Sequence, residues 1–199
     1  MKLLQPHHKA IVFDCDGTLA DSMPVHWIAW HETLKKYGLD HLLSFERFMN
    51  FGGVPAVQIL QILADEGGKT IDAREVTAEK YRAYADHLDR IEPIEPMYSL
   101  AVETKGKLPI AVATGSTRGG ITNTLKAIGL TDHFDAVVCA DDVEHHKPHP
   151  ETFLVAAAKL GVAPEDCLAF EDAPPGLESA RAAGMDVIDV NDLLAKTEK

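Results

Sequence analysis

The chain has 199 residues and a mass of 21.7 kDa, with 46% hydrophobic and 25% charged residues. That composition fits one globular domain, or one carrying a smaller insertion, and excludes disordered, collagenous and coiled-coil classes. Lys plus Arg is 19 and Asp plus Glu is 31, a formal charge of −12, so phosphate backbones and anionic lipid are repelled and no nucleic-acid or membrane partner is expected.

In chain order, Met1–Lys9 holds no signal-peptide core, and no apolar stretch approaches the ~20 residues that span a bilayer. A cytoplasmic address is the expectation. Ala10–Phe13 reads as a buried strand. It ends in Asp14-Cys15-Asp16-Gly17-Thr18-Leu19, two carboxylates two residues apart, whose repulsion calls for a cation or a shared proton. An Asp-Gly surface turn is the ordinary alternative. An EF-hand loop fails, because Thr18 stands where that pattern needs an acid or amide.

More than ninety residues separate Phe13 from the next strand, too many for a simple crossover. Helical spacing fills them: about Pro24–Tyr37 with Trp27, Trp30, His31 and Leu34; a segment with Val57, Leu60, Gln61 and Ala64; and about Ala73–Leu88 with Val76, Tyr81, Tyr84 and Leu88. Trp27 and Trp30 read as helical core. Residues 20–92 are therefore expected to form a small helical cap inserted after strand one, and residues 1–19 with 93–199 the core.

Pro109–Ala113, Ala136–Ala140, Cys167–Phe170 and Val187–Val190 are continuous, mostly β-branched runs that suit parallel strands covered on both faces. Between them lie helical stripes: Ile121, Leu125 and Ile128; Phe153, Ala157 and Leu160; Leu177, Ala180 and Ala183. Gly129, Gly161 and Gly184 stand at their ends. The alternation predicts a doubly wound five-stranded parallel α/β sheet with right-handed crossovers. Cys15, Cys139 and Cys167 form no CxxC pair and read as reduced core residues.

Ligands in such sheets bind beyond the carboxyl ends of the strands, so the strand ends carry the chemistry. Strand two ends in Thr114-Gly115-Ser116-Thr117, whose hydroxyls and free N–H groups suit a phosphate, or merely cap a helix. After strand three, Lys147 in His145-His146-Lys147-Pro148-His149-Pro150 is a point charge for a phosphoryl group, or a solvated lysine. The sequence does not fix the isomer of the Lys147–Pro148 bond. Strand four ends in Glu171-Asp172, again a carboxylate pair. Each has an ordinary reading alone, yet all four ends meet in one crevice. Asp14, Asp16 and Asp172 offer hard oxygens suited to Mg²⁺. With Lys147 and Thr114 they would neutralise a phosphoryl group, leaving one carboxylate to attack phosphorus and another to move protons.

These four motifs in this order resemble those of the haloacid dehalogenase superfamily over nearly the whole chain. Phe134-Asp135-Ala136-Val137-Val138, His145-His146-Lys147-Pro148 and Phe170-Glu171-Asp172-Ala173 are similar to the beta-phosphoglucomutase-like branch and its fructose-1-phosphatase-type sugar-phosphate phosphatases. The resemblance implies a Rossmann-like core, Mg²⁺ as cofactor and a small phosphorylated metabolite as substrate. It implies Asp14 as nucleophile and metal ligand, and Asp16 as general acid/base binding the metal through its backbone carbonyl. Thr114 and Lys147 would hold the phosphoryl group and Asp172 the metal, with Glu171 a ligand or an outer partner. The second carboxylate argues against dehalogenase chemistry.

On the cap side, the resemblance places His26 where the mutase has a His that couples substrate binding to closure; a solvated helix His is the alternative. Gly52-Gly53-Val54-Pro55-Ala56 matches a loop that approaches the sugar, without the Arg that grips a second phosphate in the mutase. Lys80 offers a cap-side charge, although on an acidic helix surface it reads more simply as solvated. Monomer is the expected state. The leading expectation is a Mg²⁺-dependent sugar-phosphate phosphatase; a phosphohexose mutase and a non-catalytic Mg²⁺ or ligand-binding module are the alternatives.

Overall fold

The protein is described by a computed structural model covering residues 3–197; Met1, Lys2, Glu198 and Lys199, at the ends of the expected core, lie outside the described residues. Strands β1 (Ala10–Phe13), β4 (Ile110–Ala113), β5 (Ala136–Val138), β6 (Cys167–Glu171) and β7 (Asp186–Asp189) form one sheet in the order β5-β4-β1-β6-β7. All its pairings are parallel, so the expected five-stranded doubly wound sheet is present.

Alternate residues of β1 feed opposite faces. Ile11 and Phe13 pack with α5 (Met97–Thr104), α6 (Arg118–Ala127) and α9 (Val190–Thr197), through Met97, Ile121, Leu125 and Leu193. Ala10 and Val12 pack on the other face with Phe153 and Ala157 of α7 (Glu151–Leu160) and Ala180 of α8 (Pro174–Ala182). Phe13 stacks on Phe170 at 5.4 Å between centroids, and each side chain of this size removed from water contributes roughly 1.5–3 kcal/mol. Cys15, Cys139 and Cys167 are buried free thiols, as the sequence reading expects.

The long gap after β1 is helical. Helices α1 (Met23–Tyr37), α2 (Phe45–Asn50), α3 (Ala56–Glu66) and α4 (Ala73–Ala85) enclose their own apolar cluster, including Trp30, Leu34, Phe48, Leu60, Leu63 and Val76. The chain enters and leaves this bundle through a two-stranded antiparallel ribbon, β2 (Ala20–Asp21) against β3 (Glu92–Pro93). Pro at the start of α1 and left-handed Gly38 at φ 68° after it set that helix's ends.

Several boundaries differ from the sequence reading. The last helix of this bundle stops at Ala85, with a separate 3-10 turn at Leu88–Arg90. Strand β5 stops at Val138, because Cys139 caps a 3-10 turn at Ala140–Asp142. The short α2 and α5, with too few turns to show a clear apolar stripe, were not anticipated, nor was the terminal α9. The Lys147–Pro148 and Glu95–Pro96 peptides are cis.

Candidate active site

The order β4-β1-β6 puts three strand ends side by side. Beyond β1 the chain folds into a tight turn in which the N–H groups of Thr18, Leu19 and Ala20 all donate to the Cys15 carbonyl. Gly17 sits in this turn at φ +94°, and a Cβ there would lie 2.3 Å from Asp172 Oδ2. Only glycine meets both constraints. The two carboxylate-bearing segments are thereby pressed together, and Thr18 Oγ1 donates to Asp172 Oδ1 at 2.9 Å.

Asp14 is buried and accepts from Lys147 Nζ at 2.7 Å. The same ammonium donates to Glu171 Oε1 at 2.8 Å, while Glu171 Oε2 accepts from the Ala173 N–H at 2.7 Å. Both oxygens of Glu171 are therefore engaged, and Gly176 makes room for them, since a Cβ there would lie 1.6 Å from Oε1. Lys147 is not solvated; it is 2% exposed.

Asp16 faces a different set of groups. Ser22 Oγ at 2.6 Å and Ser116 Oγ at 2.7 Å donate to it, with His26 Nε2 at 3.2 Å and Thr114 Oγ1 at 3.4 Å. Thr114 Oγ1 also accepts from the Ser116 N–H at 3.0 Å, which shapes the turn before α6. Ser22 is the residue the sequence reading missed. Its position before α1 signals a helix cap, yet its side chain makes no cap bond and turns to Asp16 instead.

The electrostatics follow from this packing. Burial pushes Asp14 well above the usual carboxylate range, with Glu171, Asp172 and Asp16 adding to it and Lys147 opposing. Asp172 is pushed up to about 7 by burial and then by Glu171. Burial works the same way on Asp16, but His26 and the Ser22 and Ser116 hydroxyls outweigh it and hold that carboxyl low. Burial alone would lower Lys147, but Asp14 and Glu171 overcome it and keep the ammonium charged. Asp14 and Glu171 hold one fixed cation while Asp16 and Asp172 stand close by, a surplus of hard, negative oxygen that suits a small divalent ion.

From the helical side, Lys80 and His26 point into the same pocket. The expectation of a solvated Lys80 is corrected: it is 2% exposed, and its Nζ lies 2.6 Å from His26 Nδ1. The reason is that α4 packs this face against α1, placing the ammonium 4.2 Å from the Tyr81 ring centroid. Burial lowers Lys80 to about 7. A solvated His26 is excluded too, since its ring stacks on Tyr84 at 4.1 Å. Trp30 is in the helical core and also lines the pocket.

Gly52 and Gly53 lie where the helical bundle touches the strand ends. A Cβ at Gly53 would lie 3.0 Å from Lys147 Cδ, one at Gly52 2.6 Å from Ala173 Cβ, and one at Gly115 2.2 Å from the Gly53 carbonyl oxygen. The loop thus covers Lys147 by backbone contact, which no larger residue permits.

Comparison with known proteins agrees with this geometry. The family model described as haloacid dehalogenase-like hydrolase matches residues 11–190. The chain is 40% identical over 184 residues to the fructose-1-phosphate phosphatase YqaB of Escherichia coli strain K12, covering 92% of this chain and 96% of that one. It is 30% identical over 185 residues to a phosphorylated carbohydrates phosphatase of Thermotoga maritima, covering 90% and 83%. The solved structure of a beta-phosphoglucomutase from Clostridium difficile superposes with a TM-score of 0.82 at 27% identity, covering 92% of this chain and 84% of that one. The chain belongs to the haloacid dehalogenase-like hydrolases, the family its four strand-end motifs resemble.

Proposed function

We propose that the protein is a Mg²⁺-dependent phosphatase that hydrolyses a small sugar phosphate, of the fructose 1-phosphate kind, through an aspartyl-phosphate on Asp14. One observation carries the reading: the buried Asp14 carboxylate is held 2.7 Å from Lys147 Nζ, with Asp16 beyond the same strand and Asp172 at the end of its neighbour β6. The relatives named for phosphatase activity on phosphorylated sugars support the substrate class.

The donor set fits Mg²⁺. Asp14 and Asp172 would ligate it with carboxylate oxygens and Asp16 with its backbone carbonyl, because the Asp16 side chain is already engaged by Ser22, His26 and Ser116. When bound, Mg²⁺ neutralises phosphoryl oxygens and the carboxylates around it. Glu171 is assigned as an outer partner that fixes Lys147, since both its oxygens are occupied.

The chain's own groups divide the work. An Asp14 oxygen attacks phosphorus while Lys147 draws charge from a phosphoryl oxygen. Thr114, Gly115 and Ser116 seat the other oxygens by hydroxyl and N–H donation. Ser116 and Thr114 then turn from Asp16 to the phosphate. Losing those two donors raises the Asp16 carboxyl, so it can carry the proton that the leaving sugar oxygen needs. Returned to its anionic form, Asp16 deprotonates the water that hydrolyses the acyl phosphate.

Residues 20–92 act as the cap in this reading. His26, Lys80 and the Gly52–Gly53 loop face the sugar, and the ribbon of β2 and β3 is the hinge for opening. A monomer in the cytoplasm completes the proposal; no helix among the described residues is long and apolar enough to cross a membrane. A mutase is the second reading, favoured by the superposition on a beta-phosphoglucomutase. Against it, once Lys147 holds the first phosphoryl group, Lys80 and His26 are the cation-forming side chains left among the described residues lining the pocket, and they are bonded to each other.

The test is phosphate release from a panel of phosphorylated metabolites, with Mg²⁺ and with excess chelator. Mg²⁺-dependent release from ketose and aldose phosphates is expected. Beta-glucose 1-phosphate with a trace of the bisphosphate separates the readings: inorganic phosphate supports the phosphatase and glucose 6-phosphate the mutase. No turnover across the panel points to a binding module.

A further inference from the structure

We propose that His145, His149 and Glu151 form a binding site for one divalent transition-metal ion of the zinc class, separate from the Mg²⁺ site. One nitrogen from each histidine and a Glu151 oxygen all lie within 4.8 Å of one another. His145 Nδ1 is 2.8 Å and His149 Nδ1 3.9 Å from Glu151 Oε2. Zinc bonds of about 2.1 Å in tetrahedral geometry place ligand atoms about 3.4 Å apart, and the two separations bracket that value. Imidazole with carboxylate suits zinc-like ions better than Mg²⁺, which prefers oxygen alone.

The hydrogen bonding around the three residues fixes the carboxylate and leaves both histidine nitrogens within an ion's reach of it. The Glu151 N–H donates to His149 Nδ1 at 3.3 Å, so that nitrogen carries no proton, and an ion would take its lone pair over from this long hydrogen bond. The Glu144 and His145 N–H groups donate to Glu151 Oε1 and Oε2 at 3.0 and 2.9 Å, which fixes the carboxylate. These bonds, with the His145 side chain, hold the Glu151 carboxyl down at about 2. His145 Nδ1 can stay 2.8 Å from that anion only by carrying a proton or by meeting a cation. An entering ion displaces this proton to solvent and ties Glu151 to both imidazoles. Both histidines are exposed, so water can complete the coordination.

A second group, His7, His8 and Asp186, has similar spacing but different tautomers. The Gln5 N–H donates to His8 Nδ1 at 3.0 Å, so the proton sits on Nε2, the atom 2.9 Å from Asp186. To bare a lone pair there the His8 proton would have to move to Nδ1, against the Gln5 N–H, whereas no such donor among the described residues faces the Nε2 of His145. The His145 group, by contrast, flanks Lys147, whose ammonium holds Asp14 and Glu171.

The experiment is a Zn²⁺ titration of the full-length protein by calorimetry, with excess Mg²⁺ occupying the carboxylate site. One Zn²⁺ per chain is expected. His145→Ala and His149→Ala, tested separately, are each expected to weaken it by at least the ~10–100-fold that even an outer-shell loss costs. Both variants keep wild-type circular dichroism and wild-type phosphate release in zinc-free buffer, and His7→Ala keeps wild-type zinc affinity. Absence of zinc uptake by the wild type overturns the proposal. So does undiminished affinity in both variants, or loss in His7→Ala alone.

Discussion

Four side chains converge on the Asp16 carboxylate: Ser22, Ser116, His26 and Thr114. This explains how two carboxylates two residues apart take different parts. Asp14 faces Lys147 and the crowded acids, whereas Asp16 faces hydroxyls that can leave it. Asp16→Asn is expected to lower kcat by ~10²–10⁴-fold, the usual worth of a general acid/base. Its Mg²⁺ affinity stays close to wild type, because its assigned contribution is a backbone carbonyl. Steady-state phosphate release and a Mg²⁺ titration check the two halves; a large loss of Mg²⁺ binding would contradict the assignment. At this scale Asp14, Asp16, Lys147 and Asp172 were readable because their types and spacing at strand ends are unusual. Ser22 was not, and Lys80 was readable as a cap-side charge but not as a buried one. A serine before a helix looks like a cap, and a lysine on a helix with a low apolar content looks solvated. Only the packing of α4 on α1 shows otherwise.

Between elements, the contact that closes the pocket is made of backbone. The Gly115 position lies against the Gly53 carbonyl, and Gly53 lies over the Lys147 stem. Gly115→Ala inserts a methyl into a gap of 2.2 Å, and overpacking of this kind costs typically ~1–3 kcal/mol. Because the loop can lift while the sheet stays intact, the cost is expected in closure. The variant should lose ~10-fold or more in kcat/KM with a thermal midpoint near wild type. Unchanged kinetics would show that this contact plays no part in turnover. The strands themselves were legible in the sequence, since Ala10–Phe13, Ile110–Ala113 and Cys167–Phe170 are continuous apolar runs covered on both faces. The approach of Gly53 to Gly115 was not, because it joins residues far apart in sequence and leaves no periodic trace. The missing Arg in that loop was visible, and the backbone contact gives it a physical sense.

Across the whole molecule, buried titratable groups tie folding stability to pH. Burial lowers Lys80 from its ordinary 10.5 to about 7, with Asp16 opposing. Its neighbour His26 stays below that window, and Tyr81 and Tyr84 enter it only near its upper end, where they oppose the lysine. Burial lowers His26 below its ordinary 6.5, and burial raises both tyrosines above their ordinary 10.0. Between pH 7 and 10.5 the unfolded chain therefore binds more protons at this lysine than the folded one, so stability attributable to Lys80 rises with pH there. Lys80→Met is expected to remove that rise, as seen in urea unfolding of variant and wild type at several pH values in Mg²⁺. Parallel curves for the two proteins would contradict a buried, largely deprotonated lysine. In the proposed reaction one oxygen atom, a carboxylate oxygen of Asp14, receives the phosphoryl group. The most direct test of that role is phosphate release from fructose 1-phosphate by Asp14→Asn in saturating Mg²⁺, beside wild type. The account predicts turnover at background for the variant with its fold retained; normal Mg²⁺-dependent release would contradict it.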